Sequence, residues 1–251
     1  MKTVINKDFP GISDWIESIP SIFDNEGSMV YQARNTLKRI SHGNCDFVVK
    51  RYAVPIFMNR VAYTFFRKSK ARRAYENASR LTEYGIATPA PVAYMELKRG
   101  GLLHDAYFVS VADDAPFMMR QYVDFVNSGE DIIKQFARFT KRIHDADILH
   151  LDYSPGNILF SVDGSGKASF SIIDLNRMRF GVPLTRRERL RNFRRLTRSA
   201  EVLRIMTDEY ASLCGWDKEA AFEEAAEYSR VFWEKTDRKI ALKRKLKKGR
   251  K

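Results

Sequence analysis

His150-Leu151-Asp152-Tyr153-Ser154-Pro155-Gly156-Asn157-Ile158-Leu159-Phe160 and, a little further on, Ser171-Ile172-Ile173-Asp174-Leu175-Asn176 make up the densest chemical pattern in the chain. The pattern reads HxDxxxxN, apolar strand, turn, apolar strand, Asp. Asp163-Gly164-Ser165-Gly166 between the strands is a hairpin signal. Such a set suits phosphoryl transfer, in which one Asp orients or receives an acceptor hydroxyl proton while an Asn and a second Asp hold Mg²⁺ against a triphosphate. Oxygen ligands match that hard cation. The plainer alternative is an Asx-rich turn joining a helix to a hairpin. Two apolar strands with Asp174 closing the second favour the chemical reading.

Around this core the second half is mostly helical. Ile132, Ile133, Phe136, Ala137, Phe139, Thr140 and Ile143 share one helix face. Thr185 and Glu188 after Pro183 form a capping box for an arginine-rich helix. Further helices are expected over Ser199 to Leu213 and Asp217 to about Leu246, separated by Gly215. The first half has a β-rich texture instead, with runs at Met29 to Gln32, Thr36 to Ile40, Phe47 to Tyr52, Pro91 to Leu97 and Ala106 to Val111. One helix interrupts them, carried by Ala71, Ala74, Tyr75, Ala78 and Leu81 and stopped by Gly85. The expectation is an α+β, bilobal chain forming a single domain over 1–251: a small five-stranded β lobe (1–115) with one main helix, and a larger, mostly helical lobe (116–251). A basic tail at 238–251 closes it.

At 251 residues the chain is long enough for a sizeable core, and 44% hydrophobic residues exclude a disordered basic chain. Lys and Arg outnumber Asp and Glu by 44 to 31, a net charge of +13, so an anionic partner is expected. Lys2, Lys7 and Asp8 break the start, and no 18 apolar residues run together; neither a signal peptide nor a membrane span is expected. Cys45 and Cys214 lack metal-ligand spacing, which favours a reducing cytoplasm.

These residues resemble the protein-kinase-like fold, and more closely its lipopolysaccharide kinase (Kdo/WaaP) branch, over about Met29 to Leu196. Phe47-Val48-Val49-Lys50-Arg51-Tyr52 is similar to the strand whose Lys contacts the nucleotide phosphates, which implies that role for Lys50. Arg73-Ala74-Tyr75-Glu76-Asn77-Ala78 resembles the following helix and makes Glu76, in preference to Glu83, the expected partner of Lys50. By the same resemblance Asp152 is the catalytic base, and Asn157 and Asp174 are the metal ligands. The implied cofactors are ATP and Mg²⁺.

Departures from eukaryotic protein kinases are clear. Gln32-Ala33-Arg34-Asn35 is no Gly-rich loop, so Arg34 or Lys38 is expected to help cover the phosphates; Ser154 replaces the catalytic-loop Lys; Asp174-Leu175-Asn176 has no Gly. Three basic clusters remain: Arg67 to Arg73, seven arginines between Arg186 and Arg198, and nine cations between Arg238 and Lys251. A solvated helix face is the ordinary reading of each. Together they point to an anionic partner, with Arg191 and Arg195 as acceptor-binding candidates, and to an anionic membrane surface met by the tail; the family resemblance implies that the acceptor is a glycolipid of the Kdo-lipid A type. The expected location is cytoplasmic, peripheral on the inner face of the inner membrane. Rival readings are an atypical Ser/Thr protein kinase, a nucleotide-binding pseudokinase scaffold, and a nucleic-acid binder; no specific nucleic acid is expected.

Overall fold

The computed structural model describes residues 1–121 and 129–248. They form two compact units: Met1–Asp114 with Ile172–Arg177, and Ala115–Ser171 with Met178–Lys251.

The first unit contains β1 (Lys2–Ile5), α1 (Ser13–Ile22), β2 (Ser28–Gln32), β3 (Thr36–His42), β4 (Cys45–Tyr52), α2 (Phe57–Phe65), α3 (Lys70–Glu83), β5 (Pro91–Arg99) and β6 (Leu102–Val111). The strands form one sheet in the order β1-β5-β6-β4-β3-β2, antiparallel throughout. Strand alternation decides what each face carries. From β4, Phe47 and Val49 turn toward α1, whose Ile16 and Ile19, with Phe23 just beyond, are wholly buried against Val92, Met95 and Val109. Each such side chain contributes about 1.5–3 kcal/mol on burial. The alternate β4 residue Tyr52 packs instead with Ala71 of α3 and with Tyr94 and Ala106. Lys50 shares Tyr52's register and therefore the α3 face.

Ser69 caps α3 by accepting from the Arg72 amide, and the helix buries Ala71, Ala74, Ala78 and Leu81. Gly85 follows with φ +65. Gly27, before β2, has φ +76, and a Cβ there would run into the Arg39 carbonyl and the Ile40 side chain, so only glycine fits.

The expected five strands and single main helix of this half are present but incomplete. β1 adds a sixth strand beside β5, with Lys2 opposite Glu96 and Ile5 opposite Ala93, and α1 and α2 are further helices. β1 is four residues long, and Pro20 stands inside α1, which obscures the helical signal of Trp15, Ile16 and Ile19.

The second unit contains β7 (Phe117–Met118), α4 (Glu130–Asp145), β8 (Ile148–His150), β9 (Ile158–Val162), β10 (Ala168–Ile172, its last residue in the first unit), β11 (Met178–Phe180), α5 (Arg186–Asn192), α6 (Ala200–Cys214) and α7 (Lys218–Lys248). The predicted hairpin is β9–β10, extended by β7; β8 pairs with β11. α4 buries Ile133, Phe136, Ala137, Phe139, Thr140, Ile143 and His144. Thr185 and Glu188 form the capping box, and Gly215, φ +67, ends α6. The basic tail continues α7, exposed over 238–246, while residues 249–251 lie outside the described residues. Among the described residues no helix is long and apolar enough to cross a membrane.

Candidate active site

In the first unit, Lys50 Nζ lies 2.6 Å from Asp174 Oδ1. The lysine side chain is 12% exposed and rests its ammonium over the Tyr52 ring at 5.2 Å. Asp174 sits at the end of the apolar run that continues β10 and has φ +60, a left-handed conformation that an Asp adopts at a cost. Three contacts hold that geometry. Asn176 Nδ2 donates to Asp174 Oδ1 (2.8 Å), Asn77 Nδ2 of α3 donates to the Leu175 carbonyl (2.6 Å), and Thr88 Oγ1 donates to the Ile172 carbonyl (2.7 Å). Lys70, in the first turn of α3, has its ammonium pushed below the usual range by burial and by Arg34, Arg73 and Lys50. Asp174 is thus a carboxylate ringed by cations, surroundings suited to a polyphosphate.

The expected partnership of Lys50 with Glu76 is corrected. Glu76 is held by Lys68 Nζ and Arg72 Nε, each at 2.8 Å, and Lys50 by Asp174. Arg72 stands one helical turn before Glu76, so the nearer cations take the carboxylate. Lys38 is also reassigned: it is buried, and its Nζ donates to the carbonyls of Asp24 and Glu26, both at 3.0 Å. It ties down the connection between α1 and β2, leaving Arg34, which is exposed, as the cation at the β2–β3 turn.

In the second unit the HxDxxxxN stretch follows β8. His150 is buried, and its Nδ1 accepts from the Asp152 amide (3.1 Å), which fixes the turn bearing Asp152. Asn157 Nδ2 donates to the Asp152 carbonyl (3.0 Å) across that turn. Arg195 Nη1 pairs with Asp152 Oδ1 at 2.7 Å. Gly156 lies against the Arg120 guanidinium, where a Cβ would displace the arginine.

Beneath the loop is a buried polar chain absent from the sequence reading. Asn192 Nδ2 donates to the His150 carbonyl (3.0 Å), and its Oδ1 meets His144 Nε2 (3.1 Å), whose Nδ1 meets the Tyr210 hydroxyl (2.9 Å). Burial pushes the His144 imidazole down to about 4, so it is neutral at pH 7. The signal was available, since a His on α4's apolar stripe needs partners. Asn77 is the same case, a carboxamide between Ala74 and Ala78 on α3's buried side.

The arginine run divides. Arg186 pairs with Glu224, Arg189 with Asp145, Arg195 with Asp152 and Arg198 with Asp237. Much of this cluster therefore braces the helical unit. Arg194 donates to the Arg191 carbonyl and loses basicity through burial and through its neighbours Arg191 and Arg195.

A β-rich unit whose strand lysine is bound to an Asp of its own short returning segment, and a helical unit with an HxDxxxxN loop after α4, define a protein-kinase-like fold. The chain belongs to the lipopolysaccharide kinase (Kdo/WaaP) family, whose model matches residues 29–220. It is accordingly a phosphotransferase of the class acting on lipopolysaccharide core sugars. A solved structure described as WaaP in complex with acyl carrier protein is similar in fold, with a TM-score of 0.63 at 15% identity, covering 95% of this chain and 99% of that one. The Rio2 kinase-ADP/Mg²⁺-phosphoaspartate complex from Chaetomium thermophilum gives a TM-score of 0.47 at 16% identity, over 86% of this chain and 75% of that one. No curated protein sequence matches.

Proposed function

We propose that the protein transfers the γ-phosphoryl group of Mg·ATP to a hydroxyl of a lipopolysaccharide inner-core sugar, either Kdo attached to lipid A or a heptose. The observation that carries this reading is Asp152, fixed through its amide by His150 and through its carboxylate by Arg195, in a loop inside the stretch that the family model matches.

The acceptor oxygen forms a bond to the γ-phosphorus as the bond from that phosphorus to the β,γ-bridging oxygen breaks; ADP leaves with the electron pair, and Asp152 takes the hydroxyl proton. Lys50 binds the nucleotide phosphates. The residues proposed to hold Mg²⁺ carry the oxygen donors it prefers: Asp174 of the first unit has a carboxylate, and Asn157 of the second, with its Nδ2 committed to the Asp152 carbonyl, would use its carbonyl oxygen. Such a cation takes one or two protein ligands with the substrate's phosphates and neutralises charge there. Arg191 and Arg195 face the acceptor's phosphates, and the positive charge draws the protein to the inner face of the inner membrane.

The test is incubation of the pure protein with Mg·ATP and a panel of lipid A precursors and core oligosaccharides, read by mass spectrometry. One added phosphate on a core sugar is expected, and none from Asp152→Asn. Transfer to peptides but to no core sugar would overturn the reading.

A further inference from the structure

α2 is amphipathic in the reverse of the usual sense. Two of its polar side chains face the protein: Arg60 Nε and Nη2 donate to the carbonyls of Leu103 (2.9 Å) and Arg99 (3.0 Å), and Thr64 Oγ1 accepts from the Leu103 amide (2.9 Å). Its large apolar side chains face out. Phe57 is 67% exposed, Met58 78%, Phe65 67% and, just past the helix, Phe66 82%, with Ile56 at 71% before it. No residue of α2 is buried. Leaving that much apolar surface in water, clustered on one helix, costs free energy that a single scattered side chain does not and marks an interaction surface.

Charge identifies the partner. From Phe47 to Tyr75 the sequence contains no Asp or Glu, whereas Arg67 and Lys68 follow the helix directly. Lys98 and Arg99 stand exposed at the β5–β6 hairpin, whose Arg99 carbonyl holds α2. Apolar residues are thus rimmed by cations. A second copy of the chain would set cation against cation across a two-fold contact. A surface of fixed shape would need a matching groove, but side chains this exposed stand proud of the protein and suit a deformable phase. Phe and Met beside Lys and Arg on an interfacial helix match the boundary of headgroups and acyl chains in an anionic bilayer.

We propose that α2, with Ile56 and Phe66, docks into the headgroup layer of an anionic phospholipid membrane, its apolar face entering the bilayer and Arg67, Lys98 and Arg99 meeting lipid phosphates. This deepens the reading that the acceptor is a membrane glycolipid, because it names the surface that brings the enzyme to it.

The test uses the full chain and vesicles of phosphatidylcholine alone or mixed with phosphatidylglycerol. Replacing Phe57, Phe65 and Phe66 by Ser should weaken binding to the mixed vesicles by at least about tenfold while the thermal midpoint holds, because the three rings lie outside the core. Arg67→Glu with Lys98→Glu should also weaken binding, and the fall of binding with increasing salt should be shallower than the parent's. Phe65→Trp should show a blue-shifted emission on the mixed vesicles. Undiminished vesicle binding by the Ser variant, or no emission shift, overturns the proposal. Capture of an acidic acyl carrier protein that is lost in the Ser variant, with vesicle binding retained, would overturn it in favour of protein docking. Phosphorylation of a soluble, delipidated core oligosaccharide should be equal in parent and Ser variant. If neither acts on it while vesicle binding behaves as expected, the sugar-kinase reading fails and the membrane surface stands.

Discussion

Arg195, in the turn that follows α5, places its guanidinium 2.7 Å from the carboxylate of Asp152. Protein kinases carry a Lys inside the catalytic loop, where this chain has Ser154. The cation beside Asp152, the proposed base, therefore comes from a distant part of the sequence. The same guanidinium also lies over the Phe232 ring of α7 at 5.5 Å, so it is held by a carboxylate and by an aromatic face. Arg195→Ala is expected to lower kcat by roughly 10- to 100-fold by freeing the Asp152 carboxylate and removing a charge at the transferring group. Arg195→Lys should restore part of it. The pair is partly exposed, so folding stability should fall by only about 1 kcal/mol. A lowered thermal midpoint with unchanged kcat would mean that Arg195 serves the packing of α7 and not the base.

Asp174 is held by Lys50, Asn176 and an uncommon backbone conformation, and its replacement should separate two contributions to nucleotide affinity. Asp174→Ala deletes an anionic ligand, so the Mg²⁺-dependent gain in ATP binding should disappear. Lys50, released from its ion pair, stays available to phosphate, and metal-free ATP should bind at least as tightly as to the parent. Calorimetry with and without Mg²⁺ measures both. An undiminished Mg²⁺ effect in the variant would exclude Asp174 from metal binding.

The buried chain from Tyr210 through His144 and Asn192 to His150 gives the fold an acid sensitivity of known sign. His144 titrates at about 4 in the folded protein against an ordinary 6.5, with burial as the main cause. Between these values the unfolded chain takes up the proton and the folded one does not. The stabilisation is therefore complete above about pH 6.5 and is lost as pH falls toward 4, a change of roughly 3 kcal/mol. His144→Gln keeps groups able to meet Tyr210 and Asn192 but cannot titrate. The parent's thermal midpoint should drop between pH 7 and 5 by several degrees more than the variant's. Equal drops would show that another group sets the sensitivity.

The elements legible in the sequence were those whose local chemistry agrees with their tertiary role. β9 and β10 are apolar runs around a turn that needs Gly, α3 has alanines at helical spacing, and α5 has its capping box. The loop proposed as the site stood out for a different reason, since Asp152, Asn157 and Asp174 put side-chain oxygens beside apolar strands, and the structure gives His150 and Asn157 a part in holding the turn at Asp152. Glu76 misled because a cation-rich stretch offers a carboxylate several partners, and sequence does not rank them by distance. α2 escaped because Arg60 and Thr64 face the protein while its large apolar side chains are exposed, so a period-based search for a core face finds nothing to bury. Asn77, His144 and Asn192 lie on otherwise apolar stripes, and their partners come from elements far away in the chain.

The basic end of α7 separates access from chemistry. Residues 238–246 are exposed, and the last anchor before them is Trp233, whose Nε1 donates to the Thr197 carbonyl at 2.9 Å, beside the Arg198–Asp237 pair. Deleting Arg238 to Lys251 removes nine cations and leaves those contacts in place, so the thermal midpoint should change little. Attraction to an anionic surface is worth up to about 1 kcal/mol per cation near it and is screened by salt. The truncated protein should lose much of the salt-sensitive part of its binding to phosphatidylglycerol vesicles and phosphorylate membrane-embedded acceptor more slowly. Turnover of a soluble delipidated acceptor should stay close to the parent's. Arg191→Glu supplies the contrast, because an arginine that touches acceptor phosphates is needed wherever the acceptor resides, and both substrates should suffer. Removal of the α2 rings gives a third pattern, a loss of vesicle binding that persists at high salt, because apolar burial is not screened. If tail deletion instead slows both acceptors equally, the end of α7 belongs to the fold or to the active site, and the tether assignment is wrong.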